Sequence, residues 1–431
     1  MNVIGCTTIP DHLPKRMAVV MWGWYWLTYA QPDEAYGDLE KAMAESKERG
    51  FNCIRLDVVP DWRYNESGNR RGNVELKAFM PGYNKNMRCL NFKGNLVYDV
   101  HDRLMRLFKL AEKYDMYLAL TTWEYHENTS ILADDSIRRS IMDPTPEEFL
   151  VHLAKQHDKF IDEVKALGLE KRIAYVELHN ELDWFEIEPQ QKRTIVESAI
   201  SYLREKHPDI LFSADYSTIP EEEFWAHNSQ LVDHHIYGLI MDFPKWDPIA
   251  GPNLDDPALR DLLKPDIIPW DQFRIIWEQF LGKAATKNEQ TNDFFRRITW
   301  LYANLDNYRY DCRLFKEFGG KVDSVKEAML QTVHSGADLG RKHGLPVTLT
   351  EGYYLYPPFG SRFEESAAWR SVTEAVVHAA IDDGYWGITP TGYFAPDEPA
   401  WNEEPQKSYM IELCKQIRNG KSERLTGIVE N

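Results

Sequence analysis

A chain of 431 residues is long enough for one large barrel or two to three ordinary domains, and either can bury a substantial core. Hydrophobic residues make up 43% and charged residues 27%, the balance of a globular protein that lives in water. Lys and Arg number 50 against 68 Asp and Glu, and the resulting net charge of -18 repels phosphate backbones, which argues against nucleic acid as the partner.

Along the chain, short apolar runs alternate with amphipathic helical stretches, and no low-complexity linker divides them. The pattern predicts a strand over 18–24, then a helix over 39–49; a strand over 52–58, then a helix over 100–114; a strand over 117–122, then a helix over 146–167. It continues with a strand over 173–178 and a helix over 190–206, and with strands over 211–214 and 231–236. The helix over 322–343 leads to a strand over 347–350, the helix over 366–383 to a strand over 385–389, and a last helix over 406–418 would close the ring. Gly50, Gly168, Gly344 and Gly384 each follow a helix and precede a strand, where a left-handed cap suits glycine.

Eight strands with intervening helices predict a single (β/α)₈ TIM barrel occupying 1–431. The rhythm fails over 238–320, which opens Pro-rich (MDFPKWDPIAGPNLDDP) and turns helical from about Trp270; it is expected to be an insertion over the barrel mouth. Cys6, Cys53, Cys89, Cys312 and Cys414 form no CxxC pair, so neither a zinc site nor a disulfide framework is indicated and reduced thiols are expected. The longest apolar run, MAVVMWGWYWL from Met17, is too short to span a bilayer; a cytoplasmic protein without a membrane partner is the expectation.

The stretch RIAYVELHNELDW reads as a buried strand that ends abruptly in His179, Asn180, Glu181 and Asp183. LPVTLTEGYYLYPP repeats that logic, with Glu351 at the end of the seventh strand. In parallel α/β folds the carboxyl ends of the strands are where ligands meet the protein. Cleaving a glycosidic bond with retention needs two carboxyls about 5 to 5.5 Å apart, one protonated to release the leaving oxygen and one ionised to attack the anomeric carbon. Two such groups would hold one proton against mutual repulsion and give a bell-shaped pH profile. Each glutamate also has a plainer reading: Glu181 as a first-turn helix residue favoured by the macrodipole, Glu351 as a surface carboxylate.

Arg55, inside an apolar strand, needs a carboxylate partner, and His235 and Tyr237, two apart, face the same side of theirs. Trp123, Glu124 and His126 follow the third strand, while Trp22 and Trp24 belong to the first; such rings serve equally as core or as a sugar platform. With 14 Trp, 22 Tyr and 19 Phe, the composition tilts toward a carbohydrate ligand. His234 and His235, being adjacent, point to opposite faces and chelate poorly, so neither a catalytic metal nor a cofactor is expected. No predicted strand ends in the Lys that an aldolase would want.

These motifs resemble those of clan-A glycoside hydrolases, the superfamily of the cellulase-like enzymes, over roughly residues 17–418 outside the insertion. The resemblance implies that Glu181 is the acid/base, that Asn180 grips the sugar 2-hydroxyl, and that Glu351 is the nucleophile. It implies further that Arg55 in FNCIRLDV supports the nucleophile and that DHHIYG supplies His235 and Tyr237, the Tyr as a donor to the nucleophile. His179 and Trp123 join the expected substrate-binding set. One departure is visible: the clan's eighth strand ends in Trp, whereas here Trp386 comes early and the strand ends TPTGYF. A retaining β-glycoside hydrolase is the expected function, with a catalytically silent carbohydrate-binding protein on the same barrel as the alternative.

Overall fold

In the computed structural model, which describes residues 7–65, 67–77, 93–124, 129, 131–237, 255, 257–264, 268–278, 300–353, 357–391 and 399–425, the apolar runs lie side by side as parallel strands. They are β1 (Met17–Gly23), β2 (Cys53–Asp57), β3 (Tyr117–Thr121), β4 (Ile173–Glu177), β5 in two pieces (Phe212–Ser213 and Asp215–Tyr216), β6 (Val232–Ile236), β7 (Val347–Gly352) and β8 (Gly387–Ile388). The hydrogen-bonded order is β5, β4, β3, β2, β1, β8, β7, β6 and back to β5. The expected (β/α)₈ barrel is therefore present.

The ring closes in an unusual way. Phe212 and Ser213 pair with β4, whereas Asp215 and Tyr216 pair with β6. The peptide around Ala214 thus joins two halves of the sheet covalently. The sequence pattern stopped this strand at Ala214; the structure carries it on to Tyr216. The structure also adds an antiparallel hairpin, Asn73–Leu76 with Leu96–Asp99, outside the barrel.

Helices α1 (Leu39–Glu48), α2 (Val100–Lys113), α3 (Pro146–Ala166), α4 (Pro189–Lys206), α5 (Val322–His343), α6 (Ala367–Asp382) and α7 (Gln406–Asn419) surround the strands. Several start where the sequence marks a cap: Asp38, Asp99 and Ser366 accept backbone N–H bonds, and Thr145 with Glu148 forms a capping box. The four glycines expected after helices all have positive φ, between 64° and 92°. No helix among the described residues is long and apolar enough to cross a membrane. Cys53, Cys312 and Cys414 are free thiols; Cys6 and Cys89 lie outside the described residues.

Strand alternation divides the interior in two. Ala18, Val20, Ile54, Leu56, Leu118 and Leu120 face the helices in the large apolar cluster. Met17, Val19, Cys53, Ala119, Tyr175 and Trp386 fill the barrel floor. Of the stretch 238–320, the described part includes helices Pro257–Leu262, Trp270–Ile276 and Asn307–Gly319; Phe273 stacks on Trp277, Trp300 packs against both at a tilt, and their side chains join the outer cluster. The rest of the expected insertion lies outside the described residues.

α5 approaches β6 closely at Gly336, where a Cβ would stand 2.6 Å from Tyr385 Oη and 2.7 Å from His234 Nε2. Those two groups bond each other at 2.8 Å, and the Tyr385 hydroxyl donates to Val333 O. Overpacking costs about 1 to 3 kcal/mol, and alanine's better helix propensity returns only about 1 kcal/mol. Gly336→Ala should therefore lower the unfolding midpoint in urea with an unchanged m-value; a midpoint at or above that of the parent would contradict this packing.

Candidate active site

One buried guanidinium ties four strand ends together. Arg55 on β2 meets Glu177 on β4 through Nε at 3.1 Å and Nη2 at 2.7 Å, Asp215 on β5 through Nη2 at 3.1 Å, and Glu351 on β7 through Nη1 at 3.0 Å. Its Nη2 also donates to Asn180 Oδ1 at 2.8 Å, and the Trp123 ring lies 4.6 Å from its central carbon. Arg55, Glu177 and Asp215 are fully buried. Burial pushes the Glu177 carboxyl well above the usual range, ahead of the attraction of Arg55.

Glu181 follows β4 in a left-handed conformation (φ 47°, ψ 63°), which costs a non-glycine residue about 1 to 3 kcal/mol. Its N–H donates to Asp215 Oδ2 at 3.0 Å, and this bond holds the turn. The carboxyl meets His235 Nδ1 at 2.9 Å through Oε1. On its far side, His235 Nε2 stands 3.2 Å from Asp215 Oδ2 and 3.7 Å from Glu351 Oε2. The Tyr237 hydroxyl donates a short hydrogen bond to Glu351 Oε1 and lies 3.5 Å from Glu181 Oε1. One oxygen of Glu181 and one of Glu351 lie within 4.8 Å of each other.

Burial raises the pKa of Glu181; the hydrogen bond and charge of His235 pull it back, and the charges of Glu351 and Asp215 add to the rise. Desolvation, rather than the neighbouring carboxylate that the sequence suggested, is the larger cause of the rise. Burial alone would lower His235, but the charges of Asp215 and Glu351 outweigh it and raise the imidazole well above its ordinary value. For Asp215 burial is again the largest single influence, and it is outweighed by His235, Arg55 and the Glu181 N–H together, so its carboxyl sits below the usual range.

The structure thus gathers Glu181, Glu351, Asn180, Arg55, His235, Tyr237 and Trp123 at one end of the barrel. His179 is fully buried beside them, edge-on to Phe149 and Phe185, and burial depresses its pKa to about 3. His234 points away to Tyr385, as its parity required. Trp386 packs on Tyr175 in the floor, Trp22 on Tyr36, and Trp184 beyond the site is 58% exposed. Asp57 is buried and caps the Val59 N–H, and Asp183 accepts from the Ser217 N–H. His126 lies outside the described residues.

Three acids of the site escaped sequence reasoning. Glu177 reads only as strand interior, Asp215 falls beyond the predicted strand end, and Asp233, the first residue of DHHIYG, carries no expected role. Asp233 accepts from Tyr175, Thr348 and Thr350 beneath the cluster, at 2.9, 2.8 and 2.7 Å. Two donor groups, Glu181/His235/Glu351 and Asp215/Asp233/His235, each gather ligand atoms within 4.8 Å. Both use His235, whose nitrogens already face Glu181 and Asp215, and Arg55 brings positive charge to the same carboxylates.

Comparison with known proteins shows the family and the fold. The family model described as sugar-binding cellulase-like matches residues 19–246, a span that holds every residue of the site except Glu351. Curated proteins give no match. Among solved structures, a candidate glycoside hydrolase from Parabacteroides distasonis is similar with a TM-score of 0.64 and 15% identity, over 97% of this chain and 98% of that one. An exo-β-1,4-mannosidase from Opitutaceae bacterium strain TAV5 gives a TM-score of 0.50 and 13% identity, over 96% of this chain and 63% of that one. At these identities the likeness is one of fold.

Removing Arg55 would leave its carboxylates buried without their cation. Arg55→Leu should lose about 3 to 5 kcal/mol at neutral pH. An acid whose folded pKa is raised contributes stability while protonated and loses it as pH rises, so the loss should deepen as pH climbs from about 5 to 8. Urea titrations of both proteins across that window check this; a deficit that is small or independent of pH would contradict it.

Proposed function

The chain belongs to the cellulase-like family, and from that premise we propose that it is a retaining β-glycoside hydrolase acting on a β-linked oligosaccharide or glycoside. The observation that carries the reading is the pairing of Glu181 and Glu351, which end two strands of one barrel with oxygens within 4.8 Å. Retention uses carboxyls about 5 to 5.5 Å apart, whereas inversion needs about 6.5 to 9.5 Å to admit a water between acid and sugar. The two glutamates also differ in surroundings, as their two tasks require.

Glu351 attacks the anomeric carbon while Glu181 gives its proton to the departing glycosidic oxygen, leaving a glycosyl ester on Glu351. Glu181, now ionised, takes a proton from water, and that water displaces Glu351 with a second inversion. Arg55 and Tyr237 donate to the two oxygens of Glu351, which orients it for attack. Asn180, with its carbonyl oxygen engaged by Arg55, turns its amide NH₂ toward donation to the sugar 2-hydroxyl. The segment 238–320 follows Tyr237 in the sequence, and the Tyr237 hydroxyl reaches both glutamates, which supports the segment's expected place over the mouth.

The glutamates are separated by what azide does to each variant. Glu181→Ala can still form its ester from an aryl glycoside with a good leaving group, and azide, needing no general base, should then restore turnover and give a glycosyl azide of the substrate's own configuration. Glu351→Ala opens the opposite face, so azide there should give the inverted product in one displacement. Retained configuration from Glu351→Ala, or rescue of neither variant on a substrate the parent cleaves, would show that the roles are misassigned.

A further inference from the structure

Asp215 lies where β5 passes from pairing with β4 to pairing with β6, and its Oδ2 accepts two hydrogen bonds and faces a third group. It accepts from the Glu181 N–H at 3.0 Å and from Arg55 Nη2 at 3.1 Å, and it stands 3.2 Å from His235 Nε2. The opposite nitrogen of that imidazole meets the Glu181 carboxyl at 2.9 Å. The result is a chain of carboxylate, imidazole and carboxyl running from the seam of the barrel to the acid/base, with Asp215 and His235 both fully buried. Histidines between two carboxylates are held as imidazolium, because each acid favours the charged ring.

We propose that Asp215 is a positioning residue that keeps His235 cationic against Glu181 and so sets the pH at which Glu181 gives up its proton. Without a cation beside it, a carboxyl as buried as Glu181 would stay protonated too far upward in pH to serve as base in the second half of the reaction. His235 brings the value back down. Other groups share the field: Glu351 and Tyr237 face Glu181; Glu351, Asp233 and the adjacent His234 surround His235; Arg55, Glu177, Asp233 and His179 surround Asp215. The arrangement is asymmetric, however. The imidazole bonds the Glu181 carboxyl directly at 2.9 Å, and its influence there is larger than that of the Asp215 charge, so loss of the cation should outweigh direct loss of the negative charge. Asp215 also anchors the backbone of Glu181 in its left-handed turn.

The role in turnover rests on reading Glu181 as the acid/base, but its proton can be followed without turnover. Full-length protein labelled with ¹³C at the glutamate side-chain carboxyl, with the Glu181 resonance assigned by its loss in Glu181→Gln, gives the titration midpoint directly. Asp215→Asn, which keeps shape and an acceptor oxygen, and His235→Gln, which cannot carry charge, should each move that midpoint upward by about one pH unit. A residue that merely supported the fold would lower the melting temperature and leave the midpoint in place. An unchanged or lowered midpoint in Asp215→Asn would overturn the proposal; should that variant fail to fold, an unchanged midpoint in His235→Gln would do so equally. If the midpoints rise while the parent cleaves no aryl glycoside, the proposal stands and the hydrolase reading falls.

Discussion

A single guanidinium inside the barrel sets the terms for the rest of this site. Arg55 lies where β2, β4, β5 and β7 converge and bonds an acid from each of the last three, which lowers the cost of burying them together. One cation does not balance Glu177, Asp215 and Glu351, and His235 makes up part of the difference. A buried network of this kind is weak evidence for stability, since well-packed apolar residues would hold the strands as well. Its value lies in orientation: Arg55 donates to Glu177, Asp215 and Glu351 at once, which fixes the three carboxyls relative to one another.

The barrel beneath is graded. Met17, Val19, Cys53, Ala119 and Trp386 make a dry floor, Asp233 with Tyr175, Thr348 and Thr350 forms a polar layer above it, and the charge cluster comes next. Backbone strain collects at the upper rim. Val59, Glu181 and Tyr353 adopt positive φ soon after β2, β4 and β7, the strands that carry Arg55 and the two glutamates. Such conformations persist only where surroundings over-determine them, and the bonds from Asp57 to the Val59 N–H, from Asp215 to the Glu181 N–H and from the Trp369 indole to Tyr353 O supply that support.

Much of this was legible in the amino-acid order. A buried strand that ends in a carboxylate announces itself, and so Glu181 and Glu351 could be picked out; residue parity placed His235 and Tyr237 together and sent His234 away. Asp215 obeys the same rule but was hidden, because β5 is too short to show a period and changes partners at Ala214. Glu177 hid for the opposite reason: within an apolar run it reads as a break in the pattern, and only the fold shows that its inward parity aims it at Arg55. The environment of Glu181 was partly misjudged. A neighbouring charge can be guessed from two glutamates, whereas burial, the larger cause of its raised pKa, is a property of the assembled walls. The hairpin of Asn73–Leu76 and Leu96–Asp99 left no clear trace, since four-residue strands of mixed polarity resemble loop.

The account depends above all on Glu351 becoming covalently attached to sugar. Activated 2-deoxy-2-fluoroglycosides form that ester and hydrolyse it slowly, because the electronegative substituent disfavours the positively charged transition state of the second step. Incubating the protein with a panel of such β-glycosides, followed by proteolysis and mass spectrometry of the peptides, should show one peptide heavier by a single fluorosugar, with the modification on Glu351. An adduct on any other residue, or none with a sugar whose ordinary aryl glycoside the protein hydrolyses, would contradict the central claim.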